Sequence, residues 1–331
     1  MQALGCFCRS IYQDNRWYEL QQERESGPVE CFHMDGEYAK VYYWYTLRKA
    51  GNVGGREYFD IVTPRGFGGP YFKEGSSLSE EEAGREFDRV FGEYCGEKGI
   101  IAEYVKFDPY STSFRCLSDL YNVERHGVTF CNRLDADFYN VEYSPNVRNR
   151  IRKAQKNCVE ISIDYSGKLV RDFLALYDFT RKKHRVGAYY DFDEAFLNRY
   201  FQVLNGNVCI LAAKYQGRII SSIVVISSDE MMHYHMGGSD PQYRSLEANS
   251  LLLYEAALHG KEKGLKLFDF GGSKSGSSVE SFKKKFVKSE GVLPYYVGKK
   301  IRNAEIYGIL ADWSGKPRTD YFPSYRALDA L

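Results

Sequence analysis

The stretch "VCILAAKYQGRIISSIVVIS" (208–227) decides the fold class of this protein. Two apolar, β-branched segments lie on either side of the dipeptide Gln216-Gly217. Strand-forming segments separated by a two-residue turn predict a β-hairpin. The chain continues with a third strand in "MMHYHMGG" (231–238), a helix in "EANSLLLYEAALHGKEKG" (247–264) and a strand in "LKLFDF" (265–270). This order predicts a mixed α/β domain in which a three-stranded meander precedes a helix and a further strand.

The rest of the chain also mixes strands and helices. The segment "GEYAKVYYWYTLRK" (36–49) is rich in β-branched and aromatic residues and predicts a strand. "SEEEAGREFDRVFGEYCGEKG" (79–99) predicts a helix, because Ser79 can cap it and three glutamates suit the positive end of its dipole. "SPNVRNRIRKAQKNCVEISI" (144–163) predicts a basic helix that leads into a strand. With 331 residues we expect two domains, joined near the start of that basic helix.

The charge of the chain is divided unevenly. Residues 1–147 hold 16 Lys and Arg against 24 Asp and Glu, whereas residues 148–331 hold 29 against 20. The net charges are therefore −8 and +9. Basic residues cluster at 148–156, 181–185, 283–288 and 299–302, which favours a polyanionic partner such as RNA, a nucleotide sugar or a membrane surface. The alternative for each cluster is a solvated helix face.

Composition and the start of the chain limit the cellular setting. The eight cysteines include no C-x-x-C pair, so neither a disulfide framework nor a zinc ribbon is indicated. No apolar run approaches the roughly 18 residues that span a bilayer. The segment 1–20 carries charge before any signal-type apolar core forms. We therefore expect a cytoplasmic protein without a transmembrane segment.

Four motifs together carry a family resemblance. They are "EYFDIVTPRGFGGP" (57–70), "RNRIRKAQKNCVEI" (148–161), "YQGRIISS" (215–222) and "GLKLFDFGGSKSGSSVESFKKKF" (264–286). The set resembles the Fem-type peptidyltransferases and related FemAB-like acyltransferases, and the strand order is similar to that of GNAT acyltransferases. The resemblance implies an α/β protein of two GNAT-like domains in tandem with a cleft between them. We expect one domain from residues 1–147 plus 303–331 and the other from 148–302.

The loop "RSLEAN" (244–249) indicates which acyl donor the protein uses. GNAT enzymes hold the pyrophosphate of acetyl-CoA at a helix start, in a loop of the form [QR]-x-x-G-x-[GA], because glycine lets the backbone approach the phosphates. Here Arg244 is present, and we expect it to contact the donor, but Glu247 and Asn249 occupy the glycine positions. A carboxylate repels pyrophosphate. The loop therefore favours aminoacyl-tRNA, the donor that the resemblance implies, over acetyl-CoA, and no other cofactor is expected.

The lysine run after the double glycine matches the family's F-K-x-x-F pattern at Phe282, Lys283 and Phe286. The resemblance assigns Phe282 and Lys283 to the catalytic site, with Lys283 stabilising charge at the reacting carbonyl. The alternative is a solvated helix face anchored in the core by the two phenylalanines, four residues apart.

Three residues match the acceptor pattern of the family, in which an arginine and a tyrosine lie four residues apart and a second tyrosine lies on a central strand. Arg185 and Tyr189 in "RVGAYY" fit the spacing, and Tyr234 is the third candidate. Arginine suits phosphate because its planar fork binds two oxygens. The family also uses a lysine after an early tryptophan, and "NRWYELQQERES" (15–26) contains none. This departure weakens the case for an identical nucleotide-sugar acceptor.

Two further patterns are open to a functional and a structural interpretation. His233 and His235 form an H-x-H on a strand, yet no third ligand is placed nearby by the sequence, so no metal site is predicted. Asp269 precedes the double glycine. It is a candidate base, although an acid at a strand end more often accepts backbone N–H bonds.

Three functions remain. The first is aminoacyl transfer from tRNA to the peptide of a peptidoglycan precursor, with tRNA as partner and contact with a membrane surface. The second is acyl-CoA-dependent N-acylation of an amino sugar or amino acid. The third is a GNAT module without catalysis that binds RNA or a protein partner. The loop at 244–249 favours the first over the second, and Lys283 favours either enzyme over the third.

Overall fold

The computed structural model describes residues 9–36, 40–73, 79–111, 113–184, 191–273, 276–315 and 321–327. The chain forms two compact units. Unit 1 comprises the described residues of Met1–Arg16 and Gly127–Leu293, and unit 2 those of Trp17–His126 and Pro294–Leu331. These units are defined by compactness, whereas the boundaries predicted near residues 147 and 302 mark two GNAT-like domains in tandem. The predicted boundaries therefore stay a prediction.

Strands and helices are mixed along the chain. The strands are β1 (Val29–Asp35), β2 (Lys40–Val53), β3 (Arg56–Val62), β4 (Gly69–Phe72), β5 (Ile100–Lys106), β6 (Asn122–Arg133), β7 (Glu160–Asp164), β8 (Val208–Tyr215), β9 (Arg218–Ser227), β10 (Met231–Ser239), β11 (Leu267–Asp269) and β12 (Val292–Ile301). The helices are α1 (Asn15–Gln21), α2 (Glu80–Lys98), α3 (Ser113–Cys116), α4 (Phe138–Val141), α5 (Pro145–Lys156), α6 (Val170–His184), α7 (Glu194–Val203), α8 (Ala248–Glu262), α9 (Ser278–Lys283) and α10 (Ala304–Trp313).

The sheet of unit 1 has the strand order β6-β11-β10-β9-β8-β7. Strands β8, β9 and β10 form an antiparallel meander, as the sequence predicts. Gln216 and Gly217 have φ angles of 49° and 78°, the double left-handed conformation of a type I′ hairpin turn. Strand β11 runs parallel to β10, and helix α8 connects the two. The predicted meander, helix and final strand are therefore confirmed.

Helix α8 lies in the core of unit 1, because its sequence is apolar over most of its circumference. Leu251, Leu252 and Leu253 are all buried, although they are consecutive and therefore point in different directions. They join the side chains of β8 and β9 and the buried residues of α5 in one hydrophobic cluster. The N-terminus of α8 is thereby fixed next to the ends of the central strands.

The sheet of unit 2 has the order β1-β2-β3-β5-β12, with β4 beside β2. Helix α2 begins at a capping box in which Ser79 and Glu82 bond to each other's backbone N–H groups. It ends at Gly99, which adopts the left-handed conformation with φ of 74°. Phe87 and Phe91 are fully buried on one face of this helix. Strand β5 then runs parallel to β3.

Both units share one order of elements. In unit 2, three antiparallel strands (β1, β2, β3) precede a helix and a strand parallel to the third, and β12 adds antiparallel beside β5. In unit 1 the strands β8, β9 and β10 precede α8 and β11, and β6 adds antiparallel beside β11. The predicted α/β fold with GNAT-like units is confirmed.

Candidate active site

Lys283 ends the short helix α9, and its side chain is buried. Ser277 caps this helix by accepting a hydrogen bond from the backbone N–H of Glu280. After Lys283 the backbone tightens into a 3₁₀ turn over residues 284–286, which directs Phe286 into the core. Lys283 is 8% exposed, whereas its neighbours Lys284 and Lys285 are exposed. Lys284 and Lys285 therefore belong to a solvated face, whereas Lys283 does not.

The ammonium group of Lys283 is held by backbone carbonyls. It donates to the carbonyl oxygens of Gly271 and Gly272 at 3.0 and 2.9 Å. It also lies 5.7 Å from the centre of the Tyr234 ring, within cation–π range. An ammonium group has three N–H donors, so among the contacts with described residues one donor remains for a ligand of the pocket.

Burial lowers the pKa of Lys283 from its ordinary value to about 8, while the negative charge of Asp269 opposes this change. The desolvated amine loses favourable hydration when it is charged. At pH 7 the group is still mostly protonated, because its pKa lies about one unit above that pH. The site therefore holds a cation that becomes neutral within an accessible pH range.

Asp269, the last residue of β11, lies beneath the double glycine. Its carboxylate accepts hydrogen bonds from the Gly271 backbone N–H at 2.8 Å, the Thr129 hydroxyl at 2.6 Å and His233 Nδ1 at 3.0 Å. Burial opposes its ionisation, but the bonds from His233, Thr129 and Gly271 hold the pKa of Asp269 below its usual value. Of the two interpretations of Asp269, the structure matches that of an acid that accepts a backbone N–H bond.

A pocket of about 560 Å³ in unit 1 contains the Lys283 side chain. Its polar lining includes Arg150, Ser221, Tyr234, Asp240, Arg244, Glu247, Asn249 and Lys283. Its apolar lining includes Phe179, Ile220, Leu253, Phe270, Val279 and Phe282. The volume is in the range of small-molecule sites, which are concave and mostly apolar with a few polar groups. Lys283, Phe282, Tyr234 and Arg244, predicted from the sequence as site residues, thus line one pocket.

Glu247 precedes the first turn of helix α8 and lines this pocket. Its backbone has φ of 58° and ψ of 27°, a left-handed conformation that glycine adopts readily and glutamate does not. This geometry agrees with the alignment of Glu247 to a glycine position of the GNAT loop. Its carboxylate pairs with Arg150 at 3.2 Å, and both side chains are partly exposed. A negative charge therefore stands where a GNAT enzyme would bind pyrophosphate.

Tyr234 of β10 is partly buried. Burial raises its pKa to about 12, and the neighbouring Tyr177 contributes in the same direction. Its hydroxyl lies close to Gly237, where an added Cβ would approach the oxygen to 2.3 Å. The neutral phenol is therefore a hydrogen-bonding group whose position depends on that glycine.

The other predicted acceptor residues, Arg185 and Tyr189, lie outside the described residues. His233 and His235 have separate partners, since His233 bonds to Asp269 and His235 Nε2 lies 3.1 Å from the Tyr200 hydroxyl. Within the described ranges there is no group of three or more His, Cys, Asp or Glu side chains arranged to hold a metal ion.

Sequence reasoning missed two contributors to this region. Arg150 belongs to the basic run 148–156, but nothing in the run distinguishes it from the other arginines until helix α5 is placed beside α8. Thr129 lies 140 residues before Asp269. It could not be paired with that aspartate without knowing that β6 lies beside β11.

Residues 143–284 match the family of acetyltransferase (GNAT) domains. This match covers the pocket residues from Arg150 to Lys283. The segment from residue 143 to residue 284 is therefore a GNAT-type acyltransferase domain.

Solved structures extend the likeness over nearly the whole chain. FemX is 12% identical with a TM-score of 0.66, and the match covers 90% of this chain and 94% of FemX. The C-terminal domain of a putative lysylphosphatidylglycerol synthetase from Agrobacterium fabrum is 13% identical, with coverages of 88% and 92% and a TM-score of 0.55. L-PGS from Bacillus licheniformis is 15% identical, with coverages of 89% and 95% and a TM-score of 0.52. The fold is thus that of the Fem-type GNAT-like acyltransferases. No curated protein sequence matches the chain.

Proposed function

We propose that the protein transfers an aminoacyl group from aminoacyl-tRNA to an amine of a peptidoglycan precursor peptide. One observation carries the proposal: the pocket combines a buried lysine ammonium with a carboxylate at the helix start where acyl-CoA phosphates would bind. The lysine supports acyl transfer, and the carboxylate disfavours a CoA donor.

The chemistry requires a positive group near the carbonyl oxygen. The acceptor amine attacks the ester carbonyl carbon, and the oxygen becomes negatively charged in the tetrahedral intermediate. Lys283 stabilises that oxygen through its remaining N–H donor and its charge. The C–O bond to the ribose then breaks, and the proton lost by the amine passes to the departing ribose oxygen, which becomes a hydroxyl. This sequence needs no protein nucleophile, in agreement with a pocket whose catalytic candidate is a lysine.

Exposed basic residues beside the pocket support an RNA donor. Helix α5 exposes Arg152, Lys153 and Lys156, and the segment 284–288 exposes further lysines. The two segments are adjacent, because the backbone N–H of Ser144 donates to the carbonyl of Lys285 at 2.9 Å. We call these two segments the basic surface. Contacts between this basic surface and RNA phosphates would supply affinity that does not depend on the RNA sequence.

The proposed acceptor follows from the resemblance and from the residues that it implies. FemX shares the fold, and the resemblance implies that Arg185, Tyr189 and Tyr234 hold a phosphorylated acceptor. Tyr234 lines the pocket, and the roles of Arg185 and Tyr189 stay predictions. The described part of the chain contains no helix long and apolar enough to cross a bilayer.

A second candidate function is N-acylation from acyl-CoA, which the match to acetyltransferase domains favours. In that case Arg244 would contact the pyrophosphate, and Glu247 would have to turn away from it. The acceptor would be an amino sugar or an amino acid.

The deciding experiment supplies labelled donors separately. The purified protein is incubated with a nucleotide-linked muropeptide and either a mixture of tRNAs charged with labelled amino acids or labelled acetyl-CoA. We expect label in the muropeptide only with the charged tRNAs, and none with the Lys283→Met variant. Label from acetyl-CoA alone would favour the second candidate. Binding of tRNA without transfer to any amine would favour a module without catalysis.

A further inference from the structure

The contacts beneath the double glycine form a chain that leads from His233 to Lys283. His233 bonds to one oxygen of Asp269, and the other oxygen accepts from the Gly271 backbone N–H. Gly271 in turn offers its carbonyl oxygen to the ammonium of Lys283. We propose that Asp269, oriented by His233, is a positioning residue that fixes the Gly271 turn and keeps the Lys283 ammonium charged in the pocket. The proposal rests on the catalytic role proposed for Lys283.

The geometry of this chain leaves little freedom. Asp269 and His233 are 2% and 3% exposed, and they are paired residues in the parallel ladder of β10 and β11. The Gly271 backbone has φ of 75°, and an added Cβ would lie 3.4 Å from the Lys283 ammonium nitrogen. The buried Asp269 carboxylate therefore fixes the turn at Gly271, and this turn fixes the Gly271 and Gly272 carbonyls that bind Lys283.

The charge of Asp269 also acts on Lys283. Burial makes the protonated form of Lys283 costly, and the Asp269 carboxylate opposes that cost. The other titratable groups that line the pocket are Tyr234, Tyr243, Arg150, Arg244, Asp240 and Glu247. Glu247 is paired with Arg150, and Asp240 with Arg218. The negative charge of Asp269 therefore counteracts the effect of burial on the pKa of Lys283 and favours the protonated form.

A purely structural role for Asp269 predicts different behaviour. If the carboxylate only caps the turn, an amide of the same shape replaces it without consequence for Lys283. Asparagine can accept the bonds from Gly271 and Thr129 but has no charge. Asp269→Asn therefore separates the electrostatic effect from the effect on folding.

The test is an NMR titration of the lysine side chains in the folded protein, with the Lys283→Met variant identifying the Lys283 signal. We expect a midpoint near 8 in the parent protein. Asp269→Asn should lower it by about one pH unit, because an opposing negative charge is removed. Glu290→Gln removes an exposed carboxylate from the same unit and should leave the midpoint unchanged. An unchanged midpoint in a folded Asp269→Asn protein overturns the proposal.

A second variant keeps the proposal testable if Asp269→Asn does not fold. Gly271→Ala retains the carboxylate but strains the turn, because Gly271 has φ of 75°, and an ammonium group displaced with the turn becomes better hydrated. Its midpoint should rise, opposite in sign to the effect of Asp269→Asn, and turnover at pH 7 should fall by about tenfold. An unchanged midpoint and turnover would remove the positioning role. The titration needs no substrate, so its failure is distinguishable from a failure to find transfer with any donor.

Discussion

The carboxylate of Glu247 lies 3.2 Å from the guanidinium of Arg150, and both side chains line the pocket that contains Lys283. This ion pair occupies the start of helix α8, where backbone N–H groups and the helix dipole favour an anion. The protein's own carboxylate thereby competes with any phosphate ligand at that position.

Glu247→Gly should increase the affinity for acetyl-CoA. The substitution removes the repelling charge, releases Arg150 and places glycine where φ is positive. The parent protein is expected to bind acetyl-CoA weakly or not at all, and the variant at least tenfold more tightly, as about 1.4 kcal/mol of removed repulsion would give. Isothermal calorimetry on both proteins checks this. Micromolar binding to the parent protein, lost when Arg244 is changed to alanine, would contradict it.

Lys283→Met should lower turnover by about two to three orders of magnitude, the usual effect of removing one group that stabilises an oxyanion. Methionine keeps an unbranched stem and removes the charge. Lys284→Met is the matched control, because Lys284 is adjacent and exposed. Single-turnover rates with saturating donor measure both. If the Lys283 variant is folded and reacts within a few-fold of the parent, the lysine has no part in the reaction.

Turnover should fall as the pH rises through about 8, because the charged form of Lys283 is the active one and its pKa is about 8. Lys283→Arg should have lower turnover at pH 7 but lose this fall, since arginine stays charged throughout that range. Rate profiles between about pH 6 and pH 10 at saturating substrate compare the two proteins. A rate that increases through pH 8 in the parent and not in the variant would instead make neutral Lys283 a general base.

The stability of the fold should also depend on Lys283. Its pKa is lower in the folded protein than the ordinary 10.5, so between about pH 8 and pH 10.5 the unfolded chain binds more protons. The contribution of this residue to the free energy of unfolding therefore rises with pH over that window, by up to about 3 kcal/mol. Lys283→Met should remove this rise and be as stable as the parent, or more so, at pH 7. Urea unfolding of both proteins at several pH values isolates the effect, and identical pH dependences would refute it.

Gly237→Ala should weaken the interaction that we assign to Tyr234. The new Cβ would come within 2.3 Å of the Tyr234 hydroxyl, so the ring must move. We expect a several-fold increase in the KM for the acceptor and a smaller change in kcat. Tyr234→Phe is the reference, because it removes the hydroxyl that Gly237→Ala only displaces, and it adds no atoms to the site. An acceptor KM that is unchanged in both variants would exclude Tyr234 from acceptor binding.

Local patterns were sufficient to predict the central part of unit 1. The hairpin around Gln216 and Gly217 was predictable because its turn and its strand residues are consecutive in the chain. The same holds for helix α2, whose cap residues Ser79 and Glu82 are three positions apart. In such elements the decisive contacts lie within a few residues of each other.

The arrangement around Lys283 depends on contacts between distant segments. The F-K-x-x-F pattern distinguishes Lys283 from Lys284 and Lys285, but its contacts with the carbonyls of Gly271 and Gly272 follow only from the fold. The pairing of His233 with Asp269 follows from the register of two parallel strands connected by a helix, which no local pattern specifies.

The repeated order of strands and helix in the two units has an evolutionary consequence. In unit 1 the parallel strand β11 leads into two glycines and then to Lys283, whereas in unit 2 the equivalent strand β5 leads into Phe107 and the buried Asp108. A duplicated fold of this kind lets selection retain the chemistry in one copy while the other accumulates different surface residues. A saturation mutagenesis library scored for activity should therefore tolerate size-conserving replacements of the buried Phe107 and Asp108 better than any replacement of Lys283.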